Sequence, residues 1–170
     1  MKFIKDFNLK KIVNKTLSNY TAPAAEGKIK TVGVIIDETY FAEREKLIQE
    51  IASHGIAAGN IETLSFFERV KKDRLPTCCY FTYSDITAGG IYTKDDVNQF
   101  INKPFDLLIS YYDVQKPPLS LATLKSKALF KAGFSTVNNR FNAFMIAGRA
   151  EDFKGFISEL FKYIVIFNKL

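Results

Sequence analysis

The chain has 170 residues, 47% hydrophobic and 25% charged, with 16 Phe and no Trp; this is the length of one domain, or of one domain with an arm. Such a chain buries roughly 70% of its unfolded surface without disulfides or metals, and its apolar content excludes disorder. The net charge of +6 is uneven, with seven Lys against Asp6 and Glu26 in residues 1–30 but 17 basic and 16 acidic residues in 31–170; this near-neutral body argues against nucleic acid, which is bound by a basic stripe on a folded face.

Residues 1–28 read as a basic amphipathic helix and linker, ahead of a single α/β domain over 29–170. On a helical wheel Phe3, Ile4, Phe7, Val13 and Leu17 share one half, with most lysines elsewhere and Leu9 and Ile12 outside that face. Lys2, Lys5 and Asp6 interrupt the continuous apolar stretch of a signal peptide. The apolar run at 163–167 falls far short of the roughly 20 residues of a membrane span. The expected setting is the cytoplasm. Pro23 and Gly27 punctuate the linker at 19–28.

The β-branched run 29–36, closed by Asp37-Glu38, predicts a buried strand. A helix follows over 41–53, with Phe41, Arg44, Leu47, Ile48, Ile51 and Ala52 at helical spacing and Gly55 to stop it. The single histidine, His54, reads as a solvated helix-end residue and leaves a zinc site short of ligands. Strands are predicted over 61–66 and, after Pro76, over 78–83. The crossover between them is short, so an antiparallel third strand stays open. Cys78 and Cys79 are adjacent and close no useful loop; they read as strand residues facing opposite ways.

Thr93 is the expected N-cap of a helix whose first turn holds Asp95 and Asp96 and whose inner face is Val97, Phe100 and Ile101. A fourth strand over 105–111 follows Pro104, and Pro117-Pro118 open a helix running to about Lys127. Strands over 128–134 and 141–147 precede a last helix, where Phe153, Phe156, Ile157, Leu160, Phe161, Ile164 and Val165 step by three and four. This alternation predicts a three-layer, Rossmann-like α/β sandwich with a mostly parallel sheet of about five to six strands, preceded by the basic N-terminal helix. Continuous apolar strands such as Leu107-Leu108-Ile109 agree with burial on both faces.

Ligands of open parallel sheets bind beyond the carboxyl ends of the strands. There this chain places Asp37, Glu38 and Tyr40, then Ser84 and Asp85, then Ser110, Tyr111, Tyr112 and Asp113, then Ser135, Asn138, Asn139 and Arg140. With strands one and four adjacent, Asp37 and Asp113, joined by Asp85, could hold Mg²⁺, and Tyr111 or Tyr112 could stack on a substrate. The turn after strand one, Asp37-Glu38-Thr39-Tyr40, lacks the glycines of a dinucleotide or P-loop site. No Gly-x-Ser-x-Gly elbow occurs. Lys125, Lys127, Lys131, Arg140 and Arg149 read as a solvated face.

No residue is assigned a catalytic role, and no cofactor is indicated. The leading reading is a non-catalytic binding or interaction module. It would use the rim residues Asp37, Glu38, Asp85, Tyr111, Tyr112, Asp113 and Arg140 for a small anionic ligand. Alternatively it would use Lys2, Lys5, Lys10, Lys11 and Lys15 for a membrane surface or an acidic protein. The same helix could pack on its own domain or on a twin subunit, making a homo-oligomer. The competing reading is an enzyme acting at the rim on an anionic small molecule, a sugar phosphate or nucleotide, with Mg²⁺.

Four blocks carry a family resemblance: Val32-Gly33-Val34-Ile35-Ile36-Asp37-Glu38, Phe105-Asp106-Leu107-Leu108-Ile109-Ser110-Tyr111-Tyr112, Ser126-Lys127-Ala128-Leu129-Phe130-Lys131-Ala132-Gly133-Phe134 and Asn142-Ala143-Phe144-Met145-Ile146. With the basic N-terminal helix, the chain resembles a family of short bacterial proteins, a domain of unknown function of Bacteroidetes type. The resemblance covers nearly the whole chain and implies a fold class and a cytoplasmic setting, with no mechanism. Where that family tends to have Asn-Asp, this chain has Asn142-Ala143. The unit from strand four through strand five is also similar to the N-terminal half of heptosyltransferase-type glycosyltransferases. Those enzymes need a second Rossmann domain, for which 170 residues leave no room.

Overall fold

Six short apolar runs form the strands β1 (Val32–Asp37), β2 (Ile61–Phe66), β3 (Tyr80–Phe81), β4 (Leu107–Tyr111), β5 (Lys131–Phe134) and β6 (Phe144–Ile146). The computed structural model describes residues 2–23 and 27–170; Met1 and the linker residues 24–26 lie outside the described residues. Every strand pair is parallel, in the order β3-β2-β1-β4-β5-β6. The three central strands β1, β4 and β5 are buried along their whole length. That burial on both faces is why they lack polar alternation.

The helices are α1 (Lys2–Ser18), α2 (Arg44–Ser53), α3 (Asp95–Asn102), α4 (Pro117–Lys125) and α5 (Phe153–Ile166). One face of the sheet packs on α2 and α5 through Val34, Ile36, Leu47, Ile51, Ile109, Phe156 and Leu160. The other packs on α1, α3 and α4 through Ile35, Leu108, Leu9, Val13, Val97, Phe100 and Leu121. The fold is the expected Rossmann-like three-layer sandwich, with a sheet that is parallel throughout.

Three boundaries differ for local reasons. The segment 67–79 carries no helix, yet β3 still pairs parallel to β2. β3 stops at Phe81 because Thr82 starts a capped turn, in which the Thr82 amide donates to Asp85 Oδ2 at 2.8 Å and the Ser84 amide to Thr82 Oγ1 at 3.2 Å. β5 begins only at Lys131, since the amides of Lys127 and Leu129 donate to the carbonyls of Ile101 and Phe105.

The N-terminal helix corrects the wheel. Leu9, Val13 and Leu17, at i, i+4 and i+8, are the stripe buried with α4, and Ile12 packs beside them. Phe3, Ile4 and Phe7, which share a wheel half with Val13 and Leu17 in sequence, are 86%, 66% and 58% exposed. Burial in α1 is divided around the axis, while its exposed side changes along the axis from apolar to basic. The far end is pinned where Tyr20 Oη donates to the Phe141 carbonyl at 3.3 Å. Among the described residues no helix is long and apolar enough to cross a membrane.

Candidate functional site

The strand order reverses between β1 and β4, and this switch point is where doubly wound sheets open a crevice for ligands. Here an ion-pair chain lies at that point. Asp37 ends β1, and Lys116 is the N-cap residue of α4. Lys116 Nζ lies 2.7 Å from Asp37 Oδ2 and 3.2 Å from Glu68 Oε1, and it sits 4.6 Å from the centroid of the Tyr40 ring. Lys2, at the start of α1, reaches the other oxygen of Glu68 at 3.1 Å. The hydrogen bond from Lys2, helped by Lys116, holds the Glu68 carboxyl below its usual range. Glu38 is committed as well, accepting from Ser65 Oγ at 2.6 Å and from Arg44 Nη1 at 2.9 Å.

The other rim carboxylates point elsewhere. Asp113 Oδ2 accepts the Ala150 amide at 2.9 Å, toward the loop after β6. Asp85 caps the Thr82 turn beyond β3, at the edge of the sheet. Asp37, Asp85 and Asp113 therefore do not converge. Among the described residues no three His, Cys, Asp or Glu side chains gather to hold a metal ion.

Tyr111 and Tyr112, expected to stack on a ligand, are both buried. Successive strand residues face opposite ways, and helices cover both faces. Tyr111 packs among Phe41, Phe134 and Phe156 and donates to the Ala150 carbonyl at 2.5 Å. Tyr112 pairs with Thr123 Oγ1 at 2.7 Å on the α4 side. Burial pushes both phenols up. Arg140 lies away from the rim, donating to the Tyr20 carbonyl at 3.2 Å behind α1. Lys131 is not part of a solvated face: its buried Nζ donates to the carbonyls of Thr123 at 2.6 Å and Ser126 at 2.9 Å. Burial pulls its pKa down to about 8.

The basic residues of α1 split into two sets. Lys2 and Lys5 belong to the body, through Glu68 and through the Tyr83 carbonyl, to which Lys5 Nζ donates at 2.7 Å. Lys10, Lys11 and Lys15 are exposed, and Lys11 Nζ stands 4.4 Å from the centroid of the Phe7 ring. Thus the outer side of α1 runs from Phe3, Ile4 and Phe7 at the rim end to a basic collar.

This packing joins α1 to the sheet, and the sequence match has the same extent. The chain belongs to DUF6913, a family of unknown function, matched over residues 5–167. The DUF6913 match starts inside α1 and ends just past α5, so the family unit includes the helix and the sandwich together. No curated protein and no solved structure matches the chain.

The rim of this DUF6913 chain also holds a basic group missed in the sequence. Arg69, Lys71, Lys72 and Arg74, all exposed, lie in the helix-free crossover after β2. The Lys2–Glu68 pair ties this crossover to the start of α1. Two grooves open there. One, of about 510 Å³, is lined by Glu68, Arg69, Lys72, Thr82 and Ser84 among others. The second, of about 400 Å³, is lined by Lys2, Ile4, Lys5, Asn8, Tyr83, Ser84 and Ala88. Tyr83 and Ser84 wall both. The available signal was the run Arg69-Val70-Lys71-Lys72-Asp73-Arg74, hidden in the near-neutral total of residues 31–170.

Proposed function

We propose that this DUF6913 chain is a non-catalytic binding module of the bacterial cytoplasm that docks on an anionic membrane surface through the rim end of α1. The observation that carries this reading is the exposed trio Phe3, Ile4 and Phe7 on a helix whose other side is locked into the core by Leu9, Val13 and Leu17. Burying each such side chain is worth about 1.5–3 kcal/mol, and an exposed apolar group rimmed by charge marks an interaction surface. Lys10, Lys11 and Lys15 on one side and the crossover residues Arg69, Lys71, Lys72 and Arg74 on the other supply that rim. A basic residue near an anionic bilayer contributes about 1 kcal/mol, and an apolar tip between basic groups is the chemistry of an interfacial anchor.

The competing enzyme reading has less to stand on, because Asp37 is paired with Lys116 and Glu38 with Arg44 and Ser65. Vesicle co-sedimentation tests the membrane reading. The chain should pellet with vesicles containing phosphatidylserine and stay in solution with phosphatidylcholine alone, and Phe3→Ser/Phe7→Ser should abolish pelleting. Pelleting that ignores lipid charge, or that survives the double substitution, rejects it. Deleting the whole arm is a poor test, since Leu9, Val13 and Leu17 are core residues.

A further inference from the structure

We infer that the two grooves beside the start of α1 form one site for a single anionic phospholipid, with the phosphate between Arg69 and Lys72 and an acyl chain along Ile4 and Ala88. This rests on the membrane reading above and names the molecule that the docked face would take from the surface.

The charge in the first groove is the starting point. Its two acidic members are already engaged, Glu68 by Lys2 and Lys116 and Asp85 by the Thr82 turn. Its two basic members are not: the Arg69 and Lys72 side chains make no ion pair or hydrogen bond among the described residues. The two cations therefore remain available to an anion, and Ser84 lines the same groove. A guanidinium and an ammonium lining one groove with a hydroxyl are a donor set for phosphate, and Arg gives it bidentate geometry.

The second groove has the opposite character. Ile4 and Ala88 contribute apolar surface directly. Lys2 and Lys5 line it too, but their ammonium groups are drawn away to Glu68 and the Tyr83 carbonyl, which leaves the methylene stems as wall. Its volume of about 400 Å³ suits a small ligand portion. Because Tyr83 and Ser84 border both grooves, a molecule with a phosphate head and an adjoining hydrocarbon chain occupies both at once. A free phosphate ester fills only the first.

Calorimetric titration with soluble, short-chain lipids tests this. Dihexanoyl phosphatidic acid should bind saturably at one per chain. Dihexanoyl phosphatidylcholine and glycerol phosphate should each bind at least about tenfold more weakly, the first lacking net charge and the second lacking chains. Arg69→Gln/Lys72→Gln should weaken phosphatidic acid about tenfold or more, and Ala88→Trp, which fills the apolar groove, should do the same; thermal denaturation checks that each variant is folded. The Phe3→Ser/Phe7→Ser variant should keep this soluble binding while losing vesicles. If phosphatidic acid shows no saturable binding, or binds both groove variants unchanged, the site is refuted, and vesicle pelleting by the native chain would show that the membrane reading survives without it. Glycerol phosphate binding as tightly as the lipid would refute the acyl groove and leave a site for soluble phosphate esters.

Discussion

Lys116 Nζ and Asp37 Oδ2 stand 2.7 Å apart at the switch point of the sheet, with their side chains only 11% and 7% exposed. A lysine from the start of α4 thus occupies the switch point, where other doubly wound folds bind ligand. Through Glu68 the same lysine is linked to Lys2 and the first turn of α1, so the switch point and the exposed tip share one charge network.

Removing one member of that buried pair leaves the other uncompensated. Lys116→Ala should destabilise the fold by about 3–5 kcal/mol. Replacing both members with apolar residues, as in Asp37→Leu/Lys116→Met, should recover most of the loss. Urea denaturation measures both. A single-variant loss below about 1 kcal/mol would mean that the pair is solvated and the crevice open.

Lys131 gives a pH dependence with a definite sign. Burial takes its pKa from the ordinary 10.5 to about 8. Between those values the unfolded chain holds the proton and the native chain does not, so stability rises with pH across this window. Below it both states are protonated and the cost of burying the charge is fully present. The stability of the native chain minus that of Lys131→Met, followed by denaturation from pH 7 to 10.5, should increase by an amount on the order of a few kcal/mol. A flat difference would show that the two carbonyl acceptors keep the lysine charged.

Gly133 and Asn142 form a second coupled pair. A Cβ on Gly133 would meet Asn142 Nδ2 at 2.5 Å, and among the described residues the buried Asn142 amide has no hydrogen-bond partner on either atom. Gly133→Ala should lower stability by about 1–3 kcal/mol, which is roughly 2–12 °C in Tm for a chain of this size. Adding Asn142→Ala should restore most of it by removing the clashing group. Equal loss in the single and double variants would place the strain elsewhere.

The arm behaves as core on one side and as surface on the other. Leu9→Ala should cost about 2–5 kcal/mol, whereas Phe3→Ser and Phe7→Ser should each stay within about 0.5 kcal/mol of the native chain. Thermal unfolding distinguishes the two. A neutral Leu9→Ala would mean that α1 is not docked on α4.

Much of the fold was legible because it is local. The apolar runs that became β1, β2 and β4, and the three-and-four spacing of Phe153, Phe156, Ile157, Leu160 and Phe161 in α5, report burial within a single element. Their alternation was enough for a parallel sandwich. The site was less legible, because it depends on which elements meet. Leu9 rather than Phe3 faces inward because the stripe against α4 is chosen by packing, and a wheel with apolar residues on every side does not select one. Tyr111, Tyr112 and Lys131 look polar in sequence but lie under helices that long-range strand order brings over them. By itself the sequence determined the α/β alternation and the concentration of lysines in α1. Only the tertiary structure decided that Lys116 meets Asp37 at the switch point, and that Lys2 of α1 meets Glu68 beside Arg69 and Lys72. Those groups are far apart along the chain, and the parallel ladder brings them to one rim.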